Sequence, residues 1–386
     1  MPHIFPFRAI RYAGGTDLAS VTAPPYDIIP PEEADRLELS HPHNIVRITL
    51  GVGLTGANRA DRYTKAAEYL REWLSSGILV FDQAKSYYLY RFDTQHGDSF
   101  RTTAGLIAAL ALEPLGDGGV FGHEQTTPAP KADRLALMRA TRANLEPLWF
   151  FASTNLTGFG KLVEDAARQP AMADLTDAEG IRHRLWRIGD NAAQTIQAFT
   201  TVPIVVADGH HRYETALVYR DERRRSDGPG TWDSVLAMIS DPVEYAPEIL
   251  PTHRLATGII VSDLKGLSPF RGDLHELVAA VNDFGSGRIG VATADGRWIL
   301  GSEGPLDTAF LEDAILQPLG AEVTYEHDLD EVEKGISKGM TAFIMACVPL
   351  SLVADMALSG QRMPPKTTLF WPKPRSGLVM RDLEDS

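Results

Sequence analysis

The pattern of apolar and polar positions is clearest in residues 201–225. The apolar run Val202 to Ala207 is rich in β-branched residues and has the length of a buried strand. After it, Tyr213, Ala216 and Leu217 recur at the spacing of one helix face. The pattern therefore predicts a strand, a sharp turn and an amphipathic helix.

The same two periodicities alternate along the rest of the chain. Apolar residues at helical spacing predict a core-facing helix over 63–76, which Gly77 ends. The apolar run Ile45 to Leu50 is predicted to be a strand. Further strands are predicted at 87–92, 103–112, 148–152, 181–188, 235–239 and 342–348, and further helices at 160–168, 274–284, 308–316 and 350–358. This alternation indicates a mixed α/β (α+β) fold.

The C-terminal third has its own hairpin, strand and helices. Its hairpin is predicted over 288–301, where Asp295-Gly296 is a strong turn dipeptide. We expect two parts, a region over 1–255 that contains the strand, turn and helix of 201–225, and an αβ lobe over 256–386.

Composition and charge narrow the class of protein. The 386 residues carry a formal net charge of -14, which argues against nucleic acid or anionic lipid as a partner. No apolar run approaches the roughly 20 residues that cross a bilayer, and the N-terminus lacks the apolar core of a signal peptide. These features predict a cytoplasmic protein without a membrane partner.

The turn between the central strand and helix has the sequence Asp208-Gly209-His210-His211-Arg212. Backbone N–H groups at a helix start have no intrahelical acceptor, so they form a site for anions. Two imidazoles and a guanidinium at the same place can donate charge-assisted hydrogen bonds to phosphate oxygens. Asp208 would repel an anion, so we interpret it as a metal ligand, a base for a hydroxyl or a helix cap.

Polar clusters outside the regular elements recur elsewhere in the chain. They are Tyr26-Asp27, His123-Glu124-Gln125, Thr252-His253-Arg254 and Lys366-Thr367-Thr368. Sites of phosphoryl transfer typically contain acidic residues together with cationic hydrogen-bond donors, because catalysis there depends mostly on positioning and charge neutralisation. The sequence contains no P-loop, no protein-kinase motif set, no nucleophile elbow, no zinc-protease helix and no paired cysteines, so those mechanisms are not predicted.

Two resemblances follow from these motifs. The segment VADGHHRYETA resembles the phosphate-binding turn of the ParB/sulfiredoxin-like superfamily, and its DGHHR form is most similar to that of free serine kinases. Over its whole length the chain resembles the family called domain of unknown function 1015. The matching pieces are APPYDII, HPHNIVR, GHEQT, PKADRLALMRATRANLEP, ADGHHRYETA, LPTHR and MPPKTTLFWPKPRSGLV.

The resemblance implies a ParB/sulfiredoxin-like core with added αβ segments, and phosphoryl transfer from a nucleotide to a small hydroxylated metabolite such as serine. It implies ATP or ADP with Mg²⁺, Asp208 as a catalytic acid, and phosphate binding by Gly209, His210, His211 and Arg212. From the polar clusters we add Glu124 and Asp27 as candidate catalytic acids, His253 and Arg254 as phosphate binders, and His123 and Lys366 as substrate binders.

Two alternative functions stay open, a ParB-like nucleotide-binding regulator and a metal-dependent hydrolase of a phosphorylated small molecule. Imidazole ligands for the hydrolase's metal would come from His123, His210, His211 or His253.

Overall fold

The computed structural model describes residues 1–51, 61–96, 99–126, 128–189 and 192–385. Helices and strands are both abundant, so the predicted mixed α/β class is confirmed. The strands are β1 Ile4–Phe5, β2 Ala9–Tyr12, β3 Leu79–Phe81, β4 Tyr87–His96, β5 Ser99–Ala111, β6 Val120–Phe121, β7 Ala143–Asn144, β8 Leu148–Ala152, β9 Ala173–Thr176, β10 Arg182–Ile188, β11 Ile204–Asp208, β12 Ser234–Ser240, β13 Glu248–Leu250, β14 His253–Thr257, β15 Leu267–Pro269, β16 Arg288–Thr293, β17 Gly296–Gly301, β18 Glu322–Glu326, β19 Thr341–Ile344, β20 Leu369–Trp371 and β21 Met380–Asp382. The helices are α1 Leu18–Val21, α2 Pro31–Ser40, α3 Val46–Thr49, α4 Arg62–Ser75, α5 Pro128–Thr141, α6 Phe159–Ala167, α7 Ala193–Ala198, α8 His210–Asp227, α9 Leu274–Phe284, α10 Asp307–Leu311, α11 Gln317–Leu319, α12 Leu329–Ser337 and α13 Leu350–Leu358. Within these ranges no helix is long and apolar enough to cross a membrane.

The chain divides into two compact units. The first comprises 1–122, 126–247 and 372–386, and the second comprises 123–125 and 248–371. The units separate after residue 247, whereas the boundary expected from the sequence lies after residue 255. The tail belongs to the first unit because β21 pairs with β2 and β7.

The first unit is built on a mixed sheet. Among the described residues this sheet has nine strands, in the order β6-β11-β8-β12-β5-β4-β10-β9, with β1 added against β5. The central strands are apolar except at some of their end residues, as expected for strands covered on both faces. A smaller sheet, β3-β2-β21-β7, joins the N-terminal and C-terminal segments of the same unit.

Helix α8 follows β11 directly and is fixed to the core by Tyr213. The ring of Tyr213 is fully buried and lies edge-on to Phe150, with ring centroids 5.9 Å apart. Its hydroxyl donates to the carbonyl of Glu113 at 2.8 Å, so the buried phenol is satisfied. The predicted strand, turn and helix are therefore all present.

The strand predicted at Ile45 to Leu50 is wrong, because these residues form the one-turn helix α3. The side chain of Asn44 accepts from the N–H of Val46 at 3.1 Å and so promotes a helical turn. The apolar side chains of α3 pack into a core shared with α4. Tertiary packing here overrides the strand preference of β-branched residues.

The second unit contains a sheet of six strands among the described residues, in the order β15-β17-β16-β19-β14-β18. Both faces are covered by apolar clusters, one around Phe343 and one around Ile344. A two-stranded ribbon pairs β13 with β20, and β20 directly follows the loop 363–368 in sequence.

Candidate active site

Asp208 is aimed by two local features at the end of β11. The register against β8 shifts between Val206 and Asp208, and such a bulge re-aims the following side chain. Gly209 then has a φ of +104°, in the left-handed region, and is the N-cap of α8. A Cβ at Gly209 would lie 3.1 Å from the side chains of Leu148 and Arg212, so glycine is required there.

The two carboxylate oxygens of Asp208 pair with two cations. Oδ2 forms a short ion pair with Arg212, one turn later on α8. Oδ1 lies 2.6 Å from Nζ of Lys373. Arg212 is itself buried, and its Nη1 lies 2.9 Å from Oε1 of Glu146. The arginine predicted to hold phosphate is thus paired with two acids of the protein.

Lys373 joins Asp208 to Asp27. Its Nζ lies 2.7 Å from Oδ2 of Asp27 and 2.6 Å from Oδ1 of Asp208. The ammonium is buried, whereas the side chains of Asp27 and Asp208 are 30% and 16% exposed. We call these three residues the carboxylate–lysine cluster. It brings together two of the three acids predicted to be catalytic.

Burial and charge act in opposite directions on the two buried cations. Burial by itself would lower the pKa of Lys373, but the carboxylates of Asp208 and Asp27 raise that pKa above its ordinary value. Burial likewise opposes the charge of Arg212, and Glu146 and Asp208 raise its pKa. Both side chains are therefore cationic at neutral pH.

Three proline-containing segments deliver the members of this network, and in the first of them Tyr26 and Asp27 begin a short 3-10 helix. The segments are Ala23-Pro24-Pro25-Tyr26-Asp27, Glu146-Pro147 and Pro372-Lys373-Pro374-Arg375. Ser376 exchanges two backbone hydrogen bonds with Ala23, at 2.8 and 3.3 Å, and its hydroxyl forms a short hydrogen bond with Glu146. Proline fixes φ and disfavours the helical region for the residue before it, so the segments are stiff.

Tyr26 and Arg134 form a wall beside the cluster. The Arg134 guanidinium lies 3.9 Å from the centroid of the Tyr26 ring and is buried there. Burial raises the pKa of Tyr26, so its phenol is protonated at neutral pH. This contact places a positive charge at the second turn of α5, where Arg134 also pairs with Asp133 and is near Glu146.

His210 and His211 open α8. His210 is buried and His211 is half-buried, and the N-cap residue, Gly209, has no side chain with which to cap the helix. The first-turn N–H groups and the helix dipole therefore begin next to Asp208.

The other predicted site residues belong to the second unit, where the loop 363–368 collects three of them. Nε2 of His123 and Oγ1 of Thr368 are 3.1 Å apart. The carboxylate of Glu124 accepts from the N–H of Lys366 at 2.9 Å, while the Lys366 side chain is exposed and its backbone has a φ of +58°. Glu124 thus helps to hold a left-handed residue in place.

Arg254 and His253 are buried in the same unit. The Arg254 guanidinium donates to the carbonyls of Thr252 and Lys366 and lies 5.4 Å from the Tyr325 ring centroid. Nδ1 of His253 accepts from the N–H of Met345 at 3.2 Å. Burial, with neighbouring positive charge, lowers the pKa of His253 to about 4. Their predicted phosphate contacts stay predictions.

Two members of the network, Lys373 and Glu146, were not predicted from the sequence. Each lies beside a proline in an extended segment. A charged residue in such a segment was the available signal that its side chain could belong to the site. Their partners are distant in sequence, so no local pattern reveals the pairing.

The depressed pKa of His253 predicts a pH-dependent stability. In the unfolded chain the imidazole has a pKa near 6.5. Between that pH and the lower pKa of the folded state, the unfolded state is protonated and the folded state is not. The free energy of unfolding is therefore highest above pH 6.5, and it falls by up to about 3 kcal/mol as the pH drops toward 4.

Urea unfolding of wild type and His253→Asn between pH 7 and 4 measures this effect. The variant should lose less stability than wild type over that range, whereas a control change at the exposed His275, His275→Asn, should follow wild type. Parallel curves for wild type and His253→Asn would contradict the assignment.

Comparisons with solved structures give matches at low identity. A variant of a free serine kinase in complex with ADP matches with a TM-score of 0.38 and 12% identity, covering 69% of this chain and 89% of that chain. A conserved hypothetical protein from Pyrococcus furiosus matches with a TM-score of 0.35 and 13% identity, covering 66% of this chain and 90% of that chain. SbnI with a C-terminal truncation, from Staphylococcus aureus, matches with a TM-score of 0.37 and 11% identity, covering 71% of this chain and 81% of that chain.

No curated protein matches the sequence. One family model does, and it covers residues 4–314, including Asp27 and the whole Asp208 to Arg212 turn. The matched range is well over half of the chain. The chain therefore belongs to the family described as protein of unknown function (DUF1015).

Proposed function

We propose that the protein transfers a phosphoryl group between a nucleotide, ATP or ADP, and a small hydroxylated metabolite, with serine the first candidate. The observation that carries this proposal is the buried Lys373 ammonium, 2.7 and 2.6 Å from the carboxylates of Asp27 and Asp208, next to the start of α8. The cluster combines acids, a fixed cation and a helix N-terminus at one place.

The cation supplies charge stabilisation. Phosphoryl transfer spreads negative charge over the oxygens of the transferring group, and catalysis consists mostly of positioning and neutralising that charge. Lys373 is held in a fixed position between two acids, and together with Mg²⁺ it would offset the charge of an incoming phosphate, which the two carboxylates alone would repel. The N–H groups of His210 and His211 would bind the remaining phosphates, since helix starts favour anions.

The two acids have different surroundings, and this separates their roles. Asp208 uses both oxygens, for Lys373 and Arg212, and is the less exposed of the two. Asp27 uses one oxygen for Lys373, and its side chain is 30% exposed. We therefore assign Asp27 as the base that accepts the substrate hydroxyl's proton, and Asp208 as the acid that orients Lys373. Arg212 then acts by holding Asp208.

Mg²⁺ fits this site through Asp27. Magnesium ions in phosphoryl-transfer sites are held by one or two carboxylates together with substrate phosphates, and Asp27 has the second oxygen and the exposure for that role. When bound, Mg²⁺ would neutralise phosphate charge alongside Lys373.

Nucleotide binding is the first expected outcome. A ligand that binds only the folded state at 100 times its dissociation constant adds about 2.7 kcal/mol of stability. A thermal-shift screen with ATP, ADP and CTP, each with and without Mg²⁺, should show stabilisation by a nucleotide that deepens when serine or another hydroxylated metabolite is added. Stabilisation without any phosphoryl transfer would favour the regulator, and no response to any nucleotide would favour the hydrolase.

Asp27→Asn should abolish most turnover while retaining nucleotide binding. Loss of a general base typically costs about 10²- to 10⁴-fold in rate, and the amide keeps the size of the side chain. We expect kcat to fall by that factor, with the nucleotide thermal shift measured without Mg²⁺ preserved. Asp35→Asn, at an exposed acid on α2, is the matched control and should keep wild-type kcat. Wild-type kcat in Asp27→Asn would remove Asp27 from the mechanism.

A further inference from the structure

Arg375 lies two residues after Lys373 and is buried in the first unit. Its guanidinium makes three hydrogen bonds: Nε to the hydroxyl of Thr22 at 2.9 Å, Nη2 to the carbonyl of Thr22 at 2.8 Å, and Nη1 to Asp177 at 3.1 Å. Thr22 directly precedes the segment Ala23 to Asp27. Arg375 therefore ties the segment carrying Lys373 to the segment carrying its partner acid.

A closed chain of hydrogen bonds surrounds this guanidinium. His183 is buried, and burial lowers its pKa, so the imidazole is neutral. Its Nε2 lies 3.0 Å from the Asp177 carboxylate, which can only accept, so Nε2 carries the proton and Nδ1 accepts from the hydroxyl of Tyr90 at 2.9 Å. The oxygen of Tyr90 in turn accepts from the backbone N–H of Arg375 at 3.2 Å.

The chain of hydrogen bonds thus starts and ends at Arg375. Each donor in it has an acceptor, and the charge of Asp177 faces the charge of Arg375. A fully satisfied buried network has one low-energy arrangement, since shifting any member leaves a polar group unpaired. The network therefore fixes the backbone of the tail at Arg375. It thereby also fixes the Cα of Lys373, which lies between two prolines.

We propose that Arg375, supported by Asp177, His183 and Tyr90, is a positioning residue that sets the location of the Lys373 ammonium between Asp27 and Asp208. The catalytic meaning of this role rests on the proposed function. The positioning itself does not, because it concerns where one ammonium group lies.

A second buried arginine in the same tail provides a matched control. Arg381 donates to the carbonyls of Ser234 and Thr231 and to the hydroxyl of Ser234, at 2.8 to 2.9 Å. It is as buried as Arg375, at 5% exposure each, but its contacts lie on β12 and the turn before it. Arg381→Met removes an equal guanidinium from the same segment without touching the contacts of Lys373.

The test measures the reactivity of the Lys373 amine. Wild type, Arg375→Met, Arg375→Lys and Arg381→Met are treated with a limiting acylating reagent at a temperature where each is folded by circular dichroism. Modification of Lys373 is quantified by mass spectrometry relative to Lys161, whose side chain is 76% exposed. In wild type, Lys373 should be strongly protected.

Arg375→Met should raise Lys373 modification roughly ten- to a hundredfold, because each charge-assisted hydrogen bond lost is worth about a factor of ten or more. Arg375→Lys should give a smaller increase, and Arg381→Met should stay at the wild-type value. If Arg375→Met does not fold, Asp177→Asn replaces it, with an increase expected in the same direction. Wild-type protection in the Arg375 variants, or an equal increase in Arg381→Met, would overturn the proposal.

Kinetics separate this proposal from the proposed function. In an enzyme that transfers phosphate, Arg375→Met should lower kcat and leave the KM for nucleotide close to wild type, and an unchanged kcat would overturn the positioning role. If Lys373 becomes reactive in Arg375→Met but wild type shows no transfer with any substrate, the proposed function fails and the positioning inference holds.

Discussion

The buried ammonium of Lys373 is the interaction on which the geometry of the site depends. A lone charge taken out of water costs several kcal/mol, so Lys373 requires counter-charges at hydrogen-bond distance. Asp27 and Asp208 provide them, at 2.7 and 2.6 Å. Because the lysine comes from the tail and the acids come from the N-terminal segment and the central strand, this requirement brings three distant parts of the chain to one point.

The surrounding structure limits how each part can move. The bulge at the end of β11 and the left-handed Gly209 aim Asp208, and Arg212 holds it from α8. Prolines stiffen the segments that carry Asp27 and Lys373. Charges that are held in this way need little reorganisation when a charged ligand arrives, and such preorganisation is the main source of electrostatic catalysis.

The sequence predicted the local features of this design. The strand, turn and helix around Asp208 follow from the apolar runs and one glycine. The core-facing helix α4 follows from the helical spacing of its apolar residues. The error at Ile45 to Leu50 arose because the side chain of Asn44 and packing against α4 stabilise a helical turn in β-branched residues.

The long-range pairing could not be predicted in this way. Asp27 and Lys373 are 346 positions apart, and no local period reports such a pair. Arg212 was predicted to face a ligand because it follows a phosphate-binding turn, but its direction depends on Glu146, whose position is set by the fold. A lysine flanked by prolines, in a segment without apolar periodicity, was the one available signal for a buried cation.

The most direct test of the central claim is a phosphoryl-transfer assay of Lys373→Met, followed by ³¹P NMR with ATP, Mg²⁺ and the hydroxylated metabolite that stabilises wild type most. The folded fraction is checked by circular dichroism at the assay temperature. The account predicts a growing phosphomonoester signal with wild type and none above background with the folded Lys373→Met protein. Transfer at the wild-type rate in that variant would contradict the claim that the carboxylate–lysine cluster is the catalytic site.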